Sequence, residues 1–439
     1  MKYDAIVIGG GSAGYVAGSV LSRNGRKVLV IEKDRYGGVC VRSGCVPSIF
    51  LYDVSFSLAR LREIGNYKGL SLNVEQGDIF SVRNNIIDYL SEAGKKLIEN
   101  AGGETYFGEA KLSKDKVEVD GRELEYDNLI IASGSSPSLP RISGVENGIT
   151  EDQAVNLNFV PKEMVVVGGG FAGVEIAQFY ARLGSSVVLI TRGKMLENFS
   201  QDARELVRES LDWDGIIVKE KCEPVYQDRG LLKTTCGEFR GEVIVYATGR
   251  RPNFPLGLSN LGIEFNCNGI KVDDTMRTTN PKVWAIGDVV DKSRKVAHSA
   301  MMEGYVAALS ILGKSVKADY SAVPQVIYTD PQIGSVGSEQ RAVKSSSFPL
   351  RASTRAIIHG MKEGYVKVGF DEDNRVCFGE VVSQYAEEMI NLLSIAIKAK
   401  MKAEDLALLP LVHPSTSEGI SNAAKALFNL DVDVFKDKQ

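Results

Sequence analysis

Two cysteines separated by four residues are the strongest chemical signal in this sequence. Cys40 and Cys45 lie in the segment GGVCVRSGCVPS, residues 37–48. Their spacing is not the Cys-x-x-Cys of zinc ribbons and thioredoxins, and no second pair follows to complete a metal site. Pro47 can begin a helix whose N-terminal dipole would favour a thiolate at Cys45. The pattern favours a redox disulfide, although two unpaired thiols at a helix start also fit the spacing.

A glycine turn just before the cysteines predicts a dinucleotide site. Residues 3–31 have a strand–turn–helix–strand pattern, with the turn GGGSAG at residues 9–14. An acid, Glu32, ends the second strand, where it can hydrogen-bond an adenosine ribose. A glycine turn with a solvated Glu32 is the alternative and fits the spacing less well. Three glycines suit the tight turn, close approach of a pyrophosphate and helix packing: Gly9, Gly11 and Gly14.

The same pattern recurs over residues 163–190 and predicts a second dinucleotide. The position equivalent to Glu32 is Thr191, followed by Arg192 and, two residues later, Lys194. An acid would repel a 2′-phosphate, whereas an arginine can bind one, so this copy favours NADP(H) over NAD(H). A merely exposed Arg192 is the alternative. The glycines of this turn are Gly168, Gly170 and Gly173.

Short apolar strands follow each glycine unit. Residues 129–135 and 243–253 each end in a glycine turn that should lie beside the cofactor of its own half, with Arg250 available to the nicotinamide nucleotide. Residues 283–289 are expected to form a buried strand. Its Asp288 could cap a helix or bind a polyol chain.

A separate α+β domain is expected from about residue 321, where glycine fingerprints stop. It closes with the segment HPSTSE, which contains His413 and Glu418. The spacing from Ser415 to Glu418 is that of a capping box. By spacing alone, a surface histidine beside a helix-capping glutamate is favoured over a catalytic pair.

Composition excludes several classes of partner. The 439 residues carry a net charge of −4, so we expect neither nucleic acid nor a membrane surface as a partner. The N-terminal apolar run is too short for a membrane span and leads into the glycine turn without a cleavage site. We therefore predict a cytoplasmic protein with no metal site.

Together these motifs resemble the class I flavin disulfide reductases, which include dihydrolipoamide dehydrogenase, glutathione reductase and mercuric reductase. The resemblance spans essentially the whole chain. It implies an α/β fold with two Rossmann-like dinucleotide-binding domains and a C-terminal α+β dimerisation domain. The motifs, in chain order, are the first glycine turn, the cysteine segment, the second glycine turn, ATGRRPN at 247–253, AIGDV at 285–289 and HPSTSE at 413–418. The implied domains are FAD-binding 1–145, NAD(P)-binding 146–267, a return segment of the FAD domain 268–320, and dimerisation 321–439.

The resemblance also implies roles for individual residues. Cys45 would be the thiol against the flavin and Cys40 the thiol that exchanges with substrate. In a homodimer, the partner subunit's His413 would be the acid–base group, oriented by Glu418. The residues expected to line FAD are Gly9, Gly11, Gly14, Glu32, Gly38, Ala110, Gly134 and Asp288. Those expected to line NADP(H) or NAD(H) are Gly168, Gly170, Gly173, Glu175, Arg192, Gly249 and Arg250.

Some positions depart from the family pattern. Ile49 stands where the family usually has a lysine that pairs with the glutamate equivalent to Glu175. Loss of that cation should raise the pKa of Glu175 and alter flavin reduction. Three other departures surround the cysteines and put the substrate in doubt: Tyr36, Val39 and Arg42.

The sequence therefore predicts an FAD-dependent NAD(P)H:disulfide oxidoreductase resembling dihydrolipoamide dehydrogenase. Its substrate would be a small dithiol or disulfide, or a lipoyl-bearing protein, as His413 and Glu418 favour. Arg192 favours an alternative, an NADPH-dependent reductase of another acceptor such as a glutathione-like disulfide or a quinone. Ile49 favours a further alternative, a flavin-bound redox sensor or relay with low turnover.

Overall fold

The computed structural model describes residues 1–68, 77–360 and 363–434. The chain divides into two units. The predicted division into four domains stays a prediction. The described residues of the first unit come from Met1–Gly168, Leu183–Ser185 and Pro224–Asp319, and those of the second from Gly169–Arg182, Ser186–Glu223 and Tyr320–Gln439.

The helices are α1 (Ser12–Arg23), α2 (Gly38–Arg42), α3 (Cys45–Lys68), α4 (Ile79–Asn100), α5 (Glu151–Ala154), α6 (Phe171–Leu183), α7 (Gln201–Trp213), α8 (Ala297–Ile311), α9 (Thr354–His359), α10 (Ala386–Lys398), α11 (Ala403–Ala407) and α12 (Glu418–Ala426).

The strands are β1 (Lys2–Ile8), β2 (Val28–Glu32), β3 (Glu104–Phe107), β4 (Lys111–Leu112), β5 (Lys116–Val119), β6 (Arg122–Ile131), β7 (Ser135–Pro137), β8 (Ile149–Thr150), β9 (Glu163–Val167), β10 (Ser186–Ile190), β11 (Ile217–Lys219), β12 (Pro224–Asp228), β13 (Leu231–Thr234), β14 (Gly237–Arg240), β15 (Val243–Tyr246), β16 (Arg250–Pro252), β17 (Phe265–Asn266), β18 (Gly269–Ile270), β19 (Val283–Ala285), β20 (Gln325–Ile327), β21 (Gln332–Gly337), β22 (Lys344–Pro349), β23 (Tyr365–Phe370) and β24 (Val376–Ser383).

The main sheet of the first unit has the strand order β3-β2-β1-β6-β5-β4, and β19 pairs with the second half of β6. Strands β3, β2, β1, β6 and β19 are parallel. Ile6 and Ile8 pack in one apolar core, while Ala5 and Val7 pack in another. Because a parallel sheet is covered on both faces, its strands are apolar almost throughout, which is why β1 is visible in the sequence.

Helices α1 and α8 pack on one face of this sheet and contribute to the same core as Ala5 and Val7. The predicted strand at 283–289 is too long, because β19 ends at Ala285. Gly287 has a left-handed φ of 76°, and residues Gly287–Val289 form a short 3₁₀ turn. That turn lifts Asp288 out of the sheet. Also in the first unit, β15 pairs in parallel with β9 and β8.

The second unit contains a five-stranded sheet of order β20-β21-β24-β23-β22, with neighbouring strands antiparallel. Helices α10 and α12 supply Met389, Ile390 and Leu393, and Ile420 and Ala423, to the core beneath it. The predicted α+β character of the region beyond residue 321 is confirmed.

A polar stripe along α6 joins that helix to the segment before β21 within the second unit. Glu175 accepts a hydrogen bond from the Tyr328 N–H at 2.8 Å, and Gln178 accepts one from the Asp330 N–H at 2.8 Å. Arg182 donates to the carboxylates of Asp214 at 2.8 Å and Asp330 at 2.9 Å. These residues lie three and four apart, so they share one face of the helix.

By length and composition alone, one described helical stretch, Gly38–Arg62, could cross a membrane. It has 25 residues and a mean hydropathy of 1.2 in its most apolar window. Core helices of soluble proteins pass the same test, so the observation is weak. The stretch contains Cys40 and Cys45, which is why its surroundings are described with the site.

Candidate active site

The two cysteines lie at the junction of two helices. Cys40 is in α2, and Cys45 is the first residue of α3, with Pro47 in its first turn as the sequence predicts. Both residues are half-buried, and no disulfide bond joins them in this structure. A hydrogen bond with the Cys45 side chain lowers the pKa of Cys40, and one with Ser12 adds to this, while burial opposes it. A lowered pKa favours the thiolate, which is the form that attacks a disulfide.

The start of α2 packs directly on the first glycine turn. A Cβ added to Gly38 would lie 2.7 Å from the Cα of Gly11, and Gly11 forms a β-bridge with Gly37. Gly14 packs as closely, since a Cβ there would lie 1.9 Å from the Gly9 carbonyl oxygen. The predicted FAD turn and the cysteine pair are therefore brought together by the backbone itself.

Glu32 lies under the same turn. Its carboxylate accepts hydrogen bonds from the Gly10 N–H at 2.7 Å and the Asp34 N–H at 3.0 Å. Burial raises the pKa of Glu32, against the lowering effect of the Gly10 bond. Arg42, between the cysteines, forms an ion pair with Asp34.

Two further predicted FAD residues meet at the carboxyl ends of β6 and β19. Ser135, next to Gly134, donates a hydrogen bond from its hydroxyl to Asp288 at 2.6 Å. Glu303, fully buried in α8, accepts a bond from the Gly287 N–H at 2.6 Å and so fixes the turn that carries Asp288. Ala110 instead packs in the apolar core of the sheet.

The second glycine turn repeats the first with one change. A Cβ on Gly169 would lie 2.6 Å from the Thr191 hydroxyl, and a Cβ on Gly10 would lie 3.4 Å from the Glu32 side chain. Thr191 therefore occupies the place of Glu32 and is buried. Arg192 is exposed and makes no hydrogen bond or ion pair with the described residues.

Glu175 lies in the first turns of α6, directly after the second glycine turn. Desolvation raises its pKa to about 7, although the hydrogen bond from Tyr328 N–H opposes the shift. Glu175 is half-buried as a whole residue, but its carboxylate is surrounded by protein. The pKa responds to the surroundings of the carboxylate, so desolvation is the main cause of the shift. The sequence-based expectation that the pKa of Glu175 is raised agrees with this direction.

Arg250 has a different environment from the one expected. Its guanidinium donates to Asp152 at 2.7 Å and Glu151 at 3.1 Å, and its remaining N–H groups bind the hydroxyl and carbonyl oxygens of Ser135. The side chain is therefore engaged within the first unit. A role for Arg250 in lining the nicotinamide nucleotide stays a prediction. In that role its guanidinium would have to give up some of these hydrogen bonds for bonds to the nucleotide.

His413 and Glu418 form a pair in the second unit. The Glu418 carboxylate accepts a hydrogen bond from His413 Nδ1 at 2.9 Å and one from the Ser415 N–H at 2.8 Å. Because a carboxylate only accepts, the proton of a neutral imidazole lies on Nδ1, which leaves Nε2 as the basic atom. The His413 side chain is 69% exposed. Glu418 thus accepts one bond of the predicted capping box and also orients the histidine. The other bond of the box is not formed among the described residues, because the N-cap of α12 is Ser417 and the Ser415 hydroxyl has no hydrogen-bond partner.

The residues present fit the two implied cofactors. Gly134, Gly170 and Gly249 face open space, so their backbone can approach a ligand, whereas Gly9 and Gly168 pack against backbone carbonyl groups. Glu32 would supply the acceptor for a ribose in the first turn. When bound, FAD supplies two-electron chemistry that links thiols to a nicotinamide nucleotide.

Comparison with known families decides the assignment. Residues 3–304 match the family described as pyridine nucleotide-disulphide oxidoreductase, and residues 323–424 match the dimerisation domain of that family. The chain belongs to the pyridine nucleotide-disulphide oxidoreductases. It is an oxidoreductase that uses FAD and a nicotinamide nucleotide.

Relatives of this family match over nearly their whole length. The dihydrolipoyl dehydrogenase of Geobacillus stearothermophilus is 31% identical over 99% of this chain and 98% of its own. The dihydrolipoyl dehydrogenase of Staphylococcus aureus is 32% identical over 97% of this chain and 96% of its own. The crystal structure of LpdA from Mycobacterium tuberculosis has a TM-score of 0.89 and 27% identity over 96% of this chain and 99% of its own. These matches confirm the predicted family, fold class and enzyme class.

Sequence reasoning missed several residues that organise the site. Ser135, Glu151 and Asp152 lie about 100 positions or more from the partners they bind, so no local pattern identifies them. Glu303 had a weak signal, a single acid in the apolar helix AHSAMMEGYVAALSI. Asn156 had none, yet its amide binds the loop between the cysteines.

We predict that Glu175→Gln stabilises the protein at alkaline pH. The folded pKa of Glu175 lies above its unfolded value of 4.5, so its ionisation destabilises the folded state increasingly as the pH rises through about 7. The amide keeps an acceptor for the Tyr328 N–H. Thermal unfolding should show no benefit near pH 4.5 and a gain on the order of 2 kcal/mol at pH 8.5. A gain of equal size at both values would contradict the assignment, and Glu404→Gln, on the exposed first turn of α11, is the control.

We also predict that Glu418→Gln lowers turnover by about tenfold to a hundredfold, because the imidazole loses its orienting carboxylate. Loss of the negative charge disfavours the imidazolium ion, so the acidic limb of the pH–rate profile should move to lower pH. The measurement is dithiol oxidation with a nicotinamide nucleotide across pH 5.5–9. Glu404→Gln is again the matched control. An unchanged pH–rate profile would show that Glu418 has no role in the acid–base step.

Proposed function

We propose that this chain is a dihydrolipoyl dehydrogenase-like enzyme that passes electrons between a dithiol and a nicotinamide nucleotide. The observation that carries the proposal is the thiol pair Cys40 and Cys45, packed by Gly38 on the FAD turn, with the pKa of Cys40 lowered. The names of the relatives supply the substrate class. A small dithiol or a lipoyl-bearing protein is the proposed substrate.

In the proposed reaction, a substrate thiolate attacks the Cys40–Cys45 disulfide at the sulfur of Cys40. The S–S bond of the enzyme breaks, and a mixed disulfide forms between substrate and Cys40. The second substrate thiol then attacks that bond, so substrate leaves as a disulfide and both cysteines are reduced. His413 Nε2 accepts the proton from the attacking thiol, and Glu418 stabilises the resulting imidazolium. Bound FAD would carry the two electrons from the thiols to the nucleotide, with Cys45 as the thiol beside it.

We further propose that the enzyme is a cytoplasmic homodimer in which the partner subunit's His413 serves the cysteine pair. The match of residues 323–424 to the dimerisation domain supports this. The exposure of the His413 side chain also supports it, because an acid–base group that acts on another chain must lie at the surface. Cys40, Cys45, His413 and Glu418 are the proposed catalytic residues.

The function is tested by anaerobic turnover of dihydrolipoamide with NAD⁺ and with NADP⁺. We expect flavin reduction by the dithiol in the parent protein, and a loss of turnover of about a hundredfold or more in Cys45→Ser. Cys267→Ser, at an exposed cysteine, should leave turnover unchanged. Flavin reduction by nucleotide with no dithiol turnover would instead favour the redox sensor. Turnover of quinones that survives Cys45→Ser would favour an oxidase or diaphorase.

A second candidate, an NADPH-linked reductase of another small disulfide, is favoured by the second glycine turn. Thr191 replaces the acid that binds a ribose, and Arg192 projects from the next position into solvent. Such a pair accommodates a 2′-phosphate. The nucleotide preference is therefore proposed to be NADP(H).

We predict that Arg192→Ala raises the KM for NADPH by about tenfold to a hundredfold, the loss expected for one charge-assisted hydrogen bond. The KM for NADH should change little, because NADH lacks the phosphate. Lys162→Ala, at another exposed cation, is the control. Equal effects on both nucleotides would show that Arg192 does not read the 2′-phosphate.

A further inference from the structure

One side chain ties the loop between the two cysteines to a distant segment. Helix α2 has only five residues and ends at Arg42, so the Arg42 carbonyl has no partner in a following helical turn. The Asn156 side-chain amide donates a hydrogen bond to that oxygen at 3.0 Å. Arg42 lies midway between Cys40 and Cys45, and this bond therefore acts on the backbone that sets the relation of the two sulfur atoms.

The Asn156 amide cannot turn freely. Its Nδ2 atom also donates to the Asp152 carbonyl oxygen at 2.9 Å. Both amide hydrogens of the side chain are therefore committed, one to the Asp152 carbonyl near the start of α5 and one to the end of α2. Because the two acceptors lie in different parts of the chain, the side chain is a bridge of fixed length between them.

Arg83 of α4 fixes the backbone that carries Asn156. Arg83 is fully buried and donates to three consecutive carbonyl oxygens: Val155 at 3.1 Å, Asn156 at 3.2 Å and Leu157 at 2.8 Å. These carbonyls follow the short helix α5, where helical partners end. A planar guanidinium that binds three successive carbonyls allows the segment little freedom.

Arg250 holds the other end of the same segment through Asp152 and Glu151. Residues 151–157 are thus restrained from two directions, by Arg250 at the start and by Arg83 at the end. The restraint converges on Asn156, the residue of this segment whose side chain donates to the cysteine loop.

We propose that Asn156 is a positioning residue for the redox loop, and that Arg83 holds it in place. The inference rests on the proposed function, because it requires Cys40 and Cys45 to be the redox pair. A disulfide demands strict distances and torsions between its residues, so the backbone of the loop influences whether the pair is a dithiol or a disulfide. Loss of the Asn156 bond should therefore change the equilibrium between dithiol and disulfide.

The test is Asn156→Ala in the complete flavoprotein. The ratio of dithiol to disulfide at Cys40 and Cys45 is measured in glutathione buffers by mass spectrometry of the alkylated peptide. We expect the equilibrium constant to change by about threefold to tenfold, as for loss of one hydrogen bond. The pH midpoint for alkylation of Cys40 in the reduced protein should rise by about half a unit, since the thiol geometry that stabilises the thiolate is loosened.

Asn158→Ala is the matched control. Asn158 lies two residues further on and accepts a bond from Arg83 at 2.9 Å, but it makes no hydrogen bond to the described residues of the cysteine loop. In Asn158→Ala, the ratio of dithiol to disulfide and the pH midpoint for alkylation of Cys40 should match those of the parent, even if the melting temperature falls. Arg83→Met, where it folds, should move the equilibrium in the same direction as Asn156→Ala.

Two results would overturn the inference in distinguishable ways. If the parent interconverts dithiol and disulfide, and Asn156→Ala gives the same equilibrium and alkylation midpoint as Asn158→Ala, then Asn156 is merely structural and the proposed function stands. If Cys40 and Cys45 form no reversible disulfide in the parent, the inference and the proposed function fail together.

Discussion

A methyl group on Gly38 would sit 2.7 Å from the Cα atom of Gly11, a distance that real Cβ atoms do not reach. This contact places the first turn of α2 against the glycine turn that follows β1. Gly37 and Gly38 also have left-handed φ values of 94° and 58°, which side chains rarely adopt. The separation between the dinucleotide turn and Cys40 is therefore set by backbone packing. Substitutions at Val39 and Arg42 change what surrounds the cysteines but leave this contact intact.

A network of ion pairs and hydrogen bonds around Arg250 connects the other parts of the site. Arg250 links Glu151 and Asp152 to Ser135, and Ser135 in turn binds Asp288. The chain of contacts continues from Asp152 through Asn156 to the Arg42 carbonyl. Residues expected to line the flavin and residues that hold the cysteine loop thus share one hydrogen-bonded network within the first unit. A low-dielectric setting makes each member costly to leave unpaired, which gives such a network geometric specificity.

The sequence predicts what is local. Strand β1, the glycine turn, helix α1 and strand β2 follow from apolar runs, glycine spacing and a terminal acid, and β9 and β10 are found at the predicted bounds. The error at β19 came from treating an apolar run as strand across Gly287, whose torsion ends it. The partners of Arg250 could not be predicted, because Glu151 and Asp152 are 99 and 98 positions away. The role of Asn156 could not be predicted either, because its partner Arg42 is 114 positions away. Family resemblance, rather than spacing, identified His413 and Glu418 as a pair.

The two glycine turns show how one backbone solution can serve two nucleotides. A Cβ on Gly169 would lie 2.6 Å from the Thr191 hydroxyl, whereas a Cβ on Gly10 would lie 2.5 Å from the Tyr36 ring and 3.4 Å from Glu32. The first turn therefore packs mainly on Tyr36 and the second on Thr191, so the residue at the position of Glu32 differs between the two turns. The Glu32 carboxylate accepts a hydrogen bond from the Gly10 N–H, and its role in binding a ribose stays a prediction. A threonine removes the negative charge, and that removal is the physical condition for Arg192 to attract a phosphate.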